Sequence, residues 1–82
     1  MGMTWSEGDG GLEREFVFAN FVSALKFLNR VGDVAEKMQH HPDMFLYNYN
    51  QVRVSLSTHD QNRITQKDYL LAEKIDDILK DS

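Results

Sequence analysis

Pro42 is the only proline among 82 residues, and it sits near the middle of the chain. Its ring disfavours helical geometry at the preceding residue, so a helix running toward it must finish by about Gln39 or His40. Upstream, apolar residues recur at helical spacing. Downstream, Val52, Val54 and Leu56 alternate with Arg53, Ser55 and Ser57 up to Thr58-His59, the signature of a half-buried strand. One residue therefore separates a helix from a strand pair, and the fold must turn a corner there.

The upstream helix is expected over Phe21 to Met38, with Asn20 as its N-cap. Phe21, Ala24, Leu25, Leu28 and Ala35 form one apolar stripe, with Phe27, Val31, Val34 and Met38 alongside it. That is wide for a helix covering one sheet face, so part of it is expected to meet a partner subunit. Gly32, inside the helix, costs about 1 kcal/mol relative to Ala, which a close helix–helix or helix–sheet approach would explain. Before the helix, Met3 to Ala19 reads as a hairpin. Gly8, Gly10 and Gly11 surround Asp9 as turn residues, Phe16 and Phe18 share one face, and Trp5 belongs to the short first strand. After Pro42, Phe45-Leu46-Tyr47 and the strand from Val52 flank a turn at Asn48-Tyr49-Asn50. Asp60 to Arg63 is a polar loop. Thr65, with Asp68 three residues later, is a capping-box-like start for a last helix whose inner side is Leu71, Ala72, Ile75, Ile78 and Leu79. The order β-β-α-β-β-α predicts a single α+β domain over residues 1–82, a four-stranded antiparallel sheet with helices on one face.

Charge and composition narrow the function. The formal net charge is −4, and Lys and Arg are scattered without a basic stripe, which argues against direct nucleic-acid binding. With no cysteine there is no thiolate nucleophile, disulfide framework or zinc knuckle. No apolar run reaches the ~18 residues of a membrane span and no address is readable, so the cytoplasm is the default expectation. A core of this size supplies only about 3–5 kcal/mol of stability, which favours oligomerisation.

His40, His41 and His59 are the whole imidazole inventory. Histidine titrates nearest physiological pH, so converging rings could supply both an acid and a base. Glu36 lies four residues before His40 and shares its helix face if the helix persists that far. Adjacent histidines diverge once a helix has ended and no HExxH motif exists, so no metal site is expected. Ser55, Ser57 and Thr58 read as a solvated sheet face, because nothing resembles a nucleophile elbow. At the level of residues alone, acid–base chemistry and functionally silent surface histidines both stay open.

Longer motifs narrow the choice. Ala35-Glu36-Lys37-Met38-Gln39-His40-His41-Pro42, then Val52 through Thr58-His59, then Ile64-Thr65-Gln66-Lys67-Asp68, closely resemble the pterin-4a-carbinolamine dehydratases. Phe16, Phe18, Phe21, Ala24, Phe27 and Arg30-Val31 agree with the same pattern, and the likeness runs from about Leu12 to Leu79. The resemblance implies a lyase that converts 4a-hydroxytetrahydropterin to quinonoid dihydropterin and water, in tetrahydrobiopterin recycling, with no cofactor. On the family pattern His40 and His59 transfer protons, His41 orients the pterin, and Glu36 accepts hydrogen bonds from it. Asp68, Lys67 and Met44 complete the expected substrate contacts. The resemblance further implies homodimers or homotetramers, and a compact form lacking the N-terminal helix of longer members. It also implies an alternative role as a dimerisation or assembly module. Three positions depart from the pattern: Gln39 where Asp is common, Met44 where an aromatic is common, and Arg63 where a glycine is usual. If that last position needs positive φ, Arg63 is strained; otherwise the loop has another shape.

Overall fold

The computed structural model describes residues 5–8, 11–58 and 63–80. The expected turn at Asp9, the third histidine His59 and the following Asp60–Asn62 stretch lie outside the described residues. The elements are β1 (Ser6–Gly8), β2 (Gly11–Val17), α1 (Phe21–Met38), β3 (Asp43–Tyr47), β4 (Gln51–Leu56) and α2 (Gln66–Lys80), in the expected β-β-α-β-β-α order. The strands form one antiparallel sheet in the order β1-β2-β4-β3.

Strand register explains the core. Leu12 faces Leu56 and Phe16 faces Val52 across β2 and β4, while Met44 and Leu46 face Val54 and Val52 across β3 and β4. Successive strand side chains alternate, so these residues share one sheet face. Leu12, Phe16, Val52, Val54 and Leu56 are buried together with Ala24, Phe27 and Val31 of α1 and Leu71, Ala72, Ile75 and Ile78 of α2. The alternate residues Glu13, Glu15, Arg53 and Phe45 are exposed on the other face. Both helices therefore cover the same side. Gly11 is required by close approach: a Cβ there would meet the Leu56 carbonyl oxygen at 3.0 Å.

Two expectations for α1 are corrected. Its buried residues are Ala24, Phe27, Val31 and Ala35, whereas Phe21 and Leu25 are 47% and 39% exposed. The buried arc is centred about a sixth of a turn away from the expected stripe, toward Phe27 and Val31, which share the core with Leu71, Ala72, Ile75 and Ile78 of α2. Nor does Gly32 mark a close approach within the chain, since an added Cβ would meet nothing within 4 Å.

Local signals set the boundaries. The Asn20 side chain accepts from the Ser23 backbone N–H, capping α1 as expected. Asn48 and Tyr49 turn the second hairpin with φ of 48° and 58°. Arg63 is not among the positive-φ residues, so it is not strained in that way. Near the chain start, Trp5 Nε1 and Arg14 both donate to Asp76 Oδ1 of α2, at 3.0 and 2.6 Å. Arg14 also lies over the Phe16 ring.

Candidate active site

The corner at Pro42 builds the site. α1 ends at Met38, and Gln39 adopts the left-handed conformation, φ 54° and ψ 39°. Its backbone N–H bonds the Glu36 carbonyl, and the next N–H, of His40, bonds the Ala35 carbonyl, so the last turn of the helix is closed. The Gln39 side-chain amide also donates to the Glu36 carbonyl. A glycine would take this conformation without strain; Gln39 takes it with three hydrogen bonds holding the reversal. Because the chain turns here, the helical i, i+4 relation between Glu36 and His40 is lost. The expected pairing is replaced by Glu36 with His41, whose Nε2 lies 2.9 Å from Glu36 Oε1.

His40 swings instead toward α2. Its Nε2 lies 2.6 Å from Asp68 Oδ1, with the His40 side chain 11% exposed and the Asp68 side chain 0%. The other carboxylate oxygen, Oδ2, accepts from the Thr58 hydroxyl at 3.0 Å and the Thr65 backbone N–H at 2.9 Å. A buried carboxylate needs such donors, and here each oxygen has them. An acceptor at Oδ1 fixes the imidazole proton on Nε2, leaving Nδ1 for a ligand. The bond from the Thr65 N–H is half of the expected capping box. The other half is missing: the Asp68 N–H bonds the Thr65 carbonyl at 3.0 Å, and the Thr65 hydroxyl contacts the Thr58 hydroxyl at 2.6 Å.

These side chains surround a cleft of about 320 Å³ lined by Gln39, His40, His41, Pro42, Asp43, Thr58 and Lys67. The structure thus brings together His40, His41 and Lys67, with Glu36 behind His41. Asp68 stands behind His40, buried and engaged on both oxygens, and is not among the cleft's lining residues. Met44 packs against the core and is not among the cleft's lining residues. Thr58 was read from sequence as part of a solvated face; its hydroxyl instead belongs to the Asp68 network. The pairing of Thr58 with Arg63 (N–O 3.0 Å), just beyond β4, is what brings it there. A second cleft, lined by Phe18, Lys26, Phe27, Arg30 and Ile78 among others, contains none of the described histidines. Among the described residues no three acidic or imidazole side chains converge as metal ligands, and no helix is long and apolar enough to cross a membrane.

A family model described as "Pterin 4 alpha carbinolamine dehydratase" matches residues 2–78. The chain belongs to that family. A Metallosphaera sedula relative named "Putative pterin-4-alpha-carbinolamine dehydratase" is 46% identical over 76 residues, spanning 93% of this chain and 78% of the relative. One of the same name from Sulfurisphaera tokodaii is 47% identical over 75 residues, spanning 92% and 80%. The crystal structure of a transcriptional coactivator/pterin dehydratase from Brucella melitensis superposes with a TM-score of 0.84 at 36% identity, covering 92% of this chain and 81% of that one. A pterin dehydratase-like protein identified as a RuBisCO assembly factor in the alpha-carboxysome shares the fold, with a TM-score of 0.70 at 16% identity.

Proposed function

We propose that the protein dehydrates 4a-hydroxytetrahydropterin to quinonoid dihydropterin by imidazole acid–base catalysis. The observation that carries this reading is the His40–Asp68 pair, 2.6 Å apart, opening on a cleft that His41 and Lys67 also line. In the reaction the N5 lone pair forms the new C=N bond as the C4a–O bond breaks. The leaving oxygen takes a proton from an acid and departs as water, and the N5 proton passes to a base. His40, presenting Nδ1, and His59 are the candidates for these two transfers. Positioned groups of this kind typically contribute ~10²–10⁴-fold. Glu36 commits Oε1 to His41. Its Oε2, without a partner among the described residues, is suited to accept from the pterin's ring N–H or amino group. Lys67, on the cleft rim, supplies a mobile cation there.

Self-association belongs to the same proposal. Phe21, Leu25, Leu28 and Gly32 follow one another at helical spacing on α1, beside the buried arc, and Phe21 and Leu25 are partly open to solvent. A second copy's helix lying along this ridge would cover them and give Gly32 its reason, as a dimer or as part of a tetramer.

The alternative is a non-catalytic dimerisation or assembly module. The names carried by the Brucella melitensis structure and the carboxysome protein favour keeping it. A stopped-flow assay of 4a-hydroxypterin dehydration separates the two. The wild type is expected to exceed a His40→Ala/His59→Ala double variant by at least about 10²-fold. Equal rates for the two would leave only the module.

A further inference from the structure

We infer that Thr58 is a positioning residue: its hydroxyl orients the Asp68 carboxylate and thereby holds the His40 imidazole in the tautomer the reaction needs. The inference rests on the dehydratase reading for its kinetic consequence, but not for its structural one.

Proton accounting supports the assignment. Thr58 has one hydroxyl proton, and it goes to Asp68 Oδ2 at 3.0 Å. In the 2.6 Å contact between the two threonine hydroxyls, Thr65 must therefore be the donor and Thr58 the acceptor. The direction of every bond is then fixed: Thr65 O–H to Thr58, Thr58 O–H to Asp68 Oδ2, His40 Nε2–H to Asp68 Oδ1. Chains of this sort polarise their members in a dry environment, and Asp68 is fully buried.

Two features separate this from ordinary structural bonding. First, only half of the capping box forms. The Asp68 backbone N–H bonds the Thr65 carbonyl at 3.0 Å and not the Thr65 hydroxyl, whose proton goes to Thr58. The hydroxyl that would cap the helix is thus part of the carboxylate network. Second, the fold does not need the Thr58 hydroxyl to hold the chain there. The backbone is anchored separately by the Thr58 N–H to the Arg63 carbonyl at 3.0 Å.

Without the hydroxyl, Asp68 Oδ2 keeps only the Thr65 N–H, and the carboxylate can rotate about the bond that aims Oδ1 at His40. The ring then samples both tautomers, and Nδ1 is no longer reliably free. Hydrogen-bond partners that orient a metal-binding imidazole are typically worth ~10–100-fold, and the same orienting role sets the scale here.

The test compares wild type with Thr58→Val and Thr58→Ser by stopped-flow dehydration kinetics and by imidazole nitrogen NMR of His40. For Thr58→Val we expect kcat to fall by roughly 10–100-fold with KM within about two-fold, because the Thr58 hydroxyl, though at the cleft wall, donates its proton to Asp68 and accepts from Thr65. The nitrogen spectrum should change from a fixed Nε2–H form to a tautomer mixture. Thr58→Ser, which keeps the donor, should restore both. Thr58→Cys, which lacks the γ-methyl and whose thiol is only a weak donor, replaces Thr58→Val if the latter does not fold, and carries the same expectation. A folded Thr58→Val or Thr58→Cys protein with wild-type kcat and an unchanged Nε2–H signal overturns the inference. If the wild type itself does not turn over the pterin, the dehydratase reading fails, and the NMR comparison alone decides the role of Thr58.

Discussion

Asp68→Asn replaces a buried carboxylate by an amide of nearly the same shape, so the response is electronic rather than steric. Asp68 accepts from three donors: His40 Nε2 at 2.6 Å, the Thr58 hydroxyl at 3.0 Å and the Thr65 N–H at 2.9 Å. An amide can accept on one side only. Turning its oxygen toward Thr58 and Thr65 keeps two bonds and points the NH₂ at His40, which must then offer a lone pair on Nε2 and carry its proton on Nδ1. The opposite orientation sets two donors against the NH₂ and is worse. In the best arrangement three hydrogen bonds to a charge, worth ~1.5–3 kcal/mol each, become neutral ones of about 1 kcal/mol, a gross loss of about 1.5–6 kcal/mol. No longer burying a charge offsets part of it, leaving a net loss of about 1–2 kcal/mol, or a fall in Tm of roughly 4–16 °C for a domain this size. On the proposed mechanism the rate should suffer far more, because Nδ1, the nitrogen assigned to proton transfer, is blocked. In a serine-protease triad the corresponding inversion costs ~10⁴-fold. Here kcat should fall by roughly 10²–10⁴-fold with KM nearly unchanged. Stopped-flow kinetics beside a thermal melt measure both quantities. A folded Asp68→Asn protein within about three-fold of wild-type kcat would refute the tautomer argument.

Other perturbations separate binding from folding. His41→Ala and Glu36→Gln break an exposed pair, 60% and 73% exposed, so Tm should hardly move while KM rises, as denaturation and saturation curves would register. Gly11→Ala should destabilise by about 1–2 kcal/mol, because its Cβ meets a backbone oxygen, as a urea titration would show. Phe21→Glu with Leu25→Glu should leave the circular dichroism intact but shift sedimentation to a smaller species; an unchanged sedimentation coefficient removes the helix-mediated association. Tyr47 donates to Glu15, and this bond holds its phenol above the ordinary 10.0. A raised folded pKa means that its contribution is present below the unfolded value and is lost as pH climbs through the folded one. Glu15→Gln should lower the alkaline titration midpoint of Tyr47 in ultraviolet absorbance.

The elements were legible because their signals are local. Asn20 and Pro42 bracket α1 by chemistry that acts within a residue or two, and the Val52–Leu56 alternation determines which face of β4 is inward. The buried side of α1 was not legible in the same way. Nine apolar residues span more arc than a sheet covers, and only the docking of α2 chooses Ala24, Phe27, Val31 and Ala35 over Phe21 and Leu25. In the site, the clustering of His40 and His41 beside Glu36 could be read directly, but the pairing could not. It depends on Gln39 adopting φ 54°, a conformation its side chain does not advertise. The burial of Asp68 and the recruitment of Thr58 are long-range consequences of strand end meeting helix start. The half-formed box at Thr65 offered no signal in the sequence, since the same residues spell an ordinary capping box.

Asp68 occupies the first turn of the last helix, whereas the imidazole it holds belongs to the segment following the first helix. On the proposed mechanism the reactive group is therefore split between two parts of the chain that meet only in the finished tertiary structure. Heating or denaturant that frays the beginning of α2 should silence turnover before circular dichroism registers any loss of helix. The protein should carry, in its own activity, a gauge of whether its C-terminal third is in place.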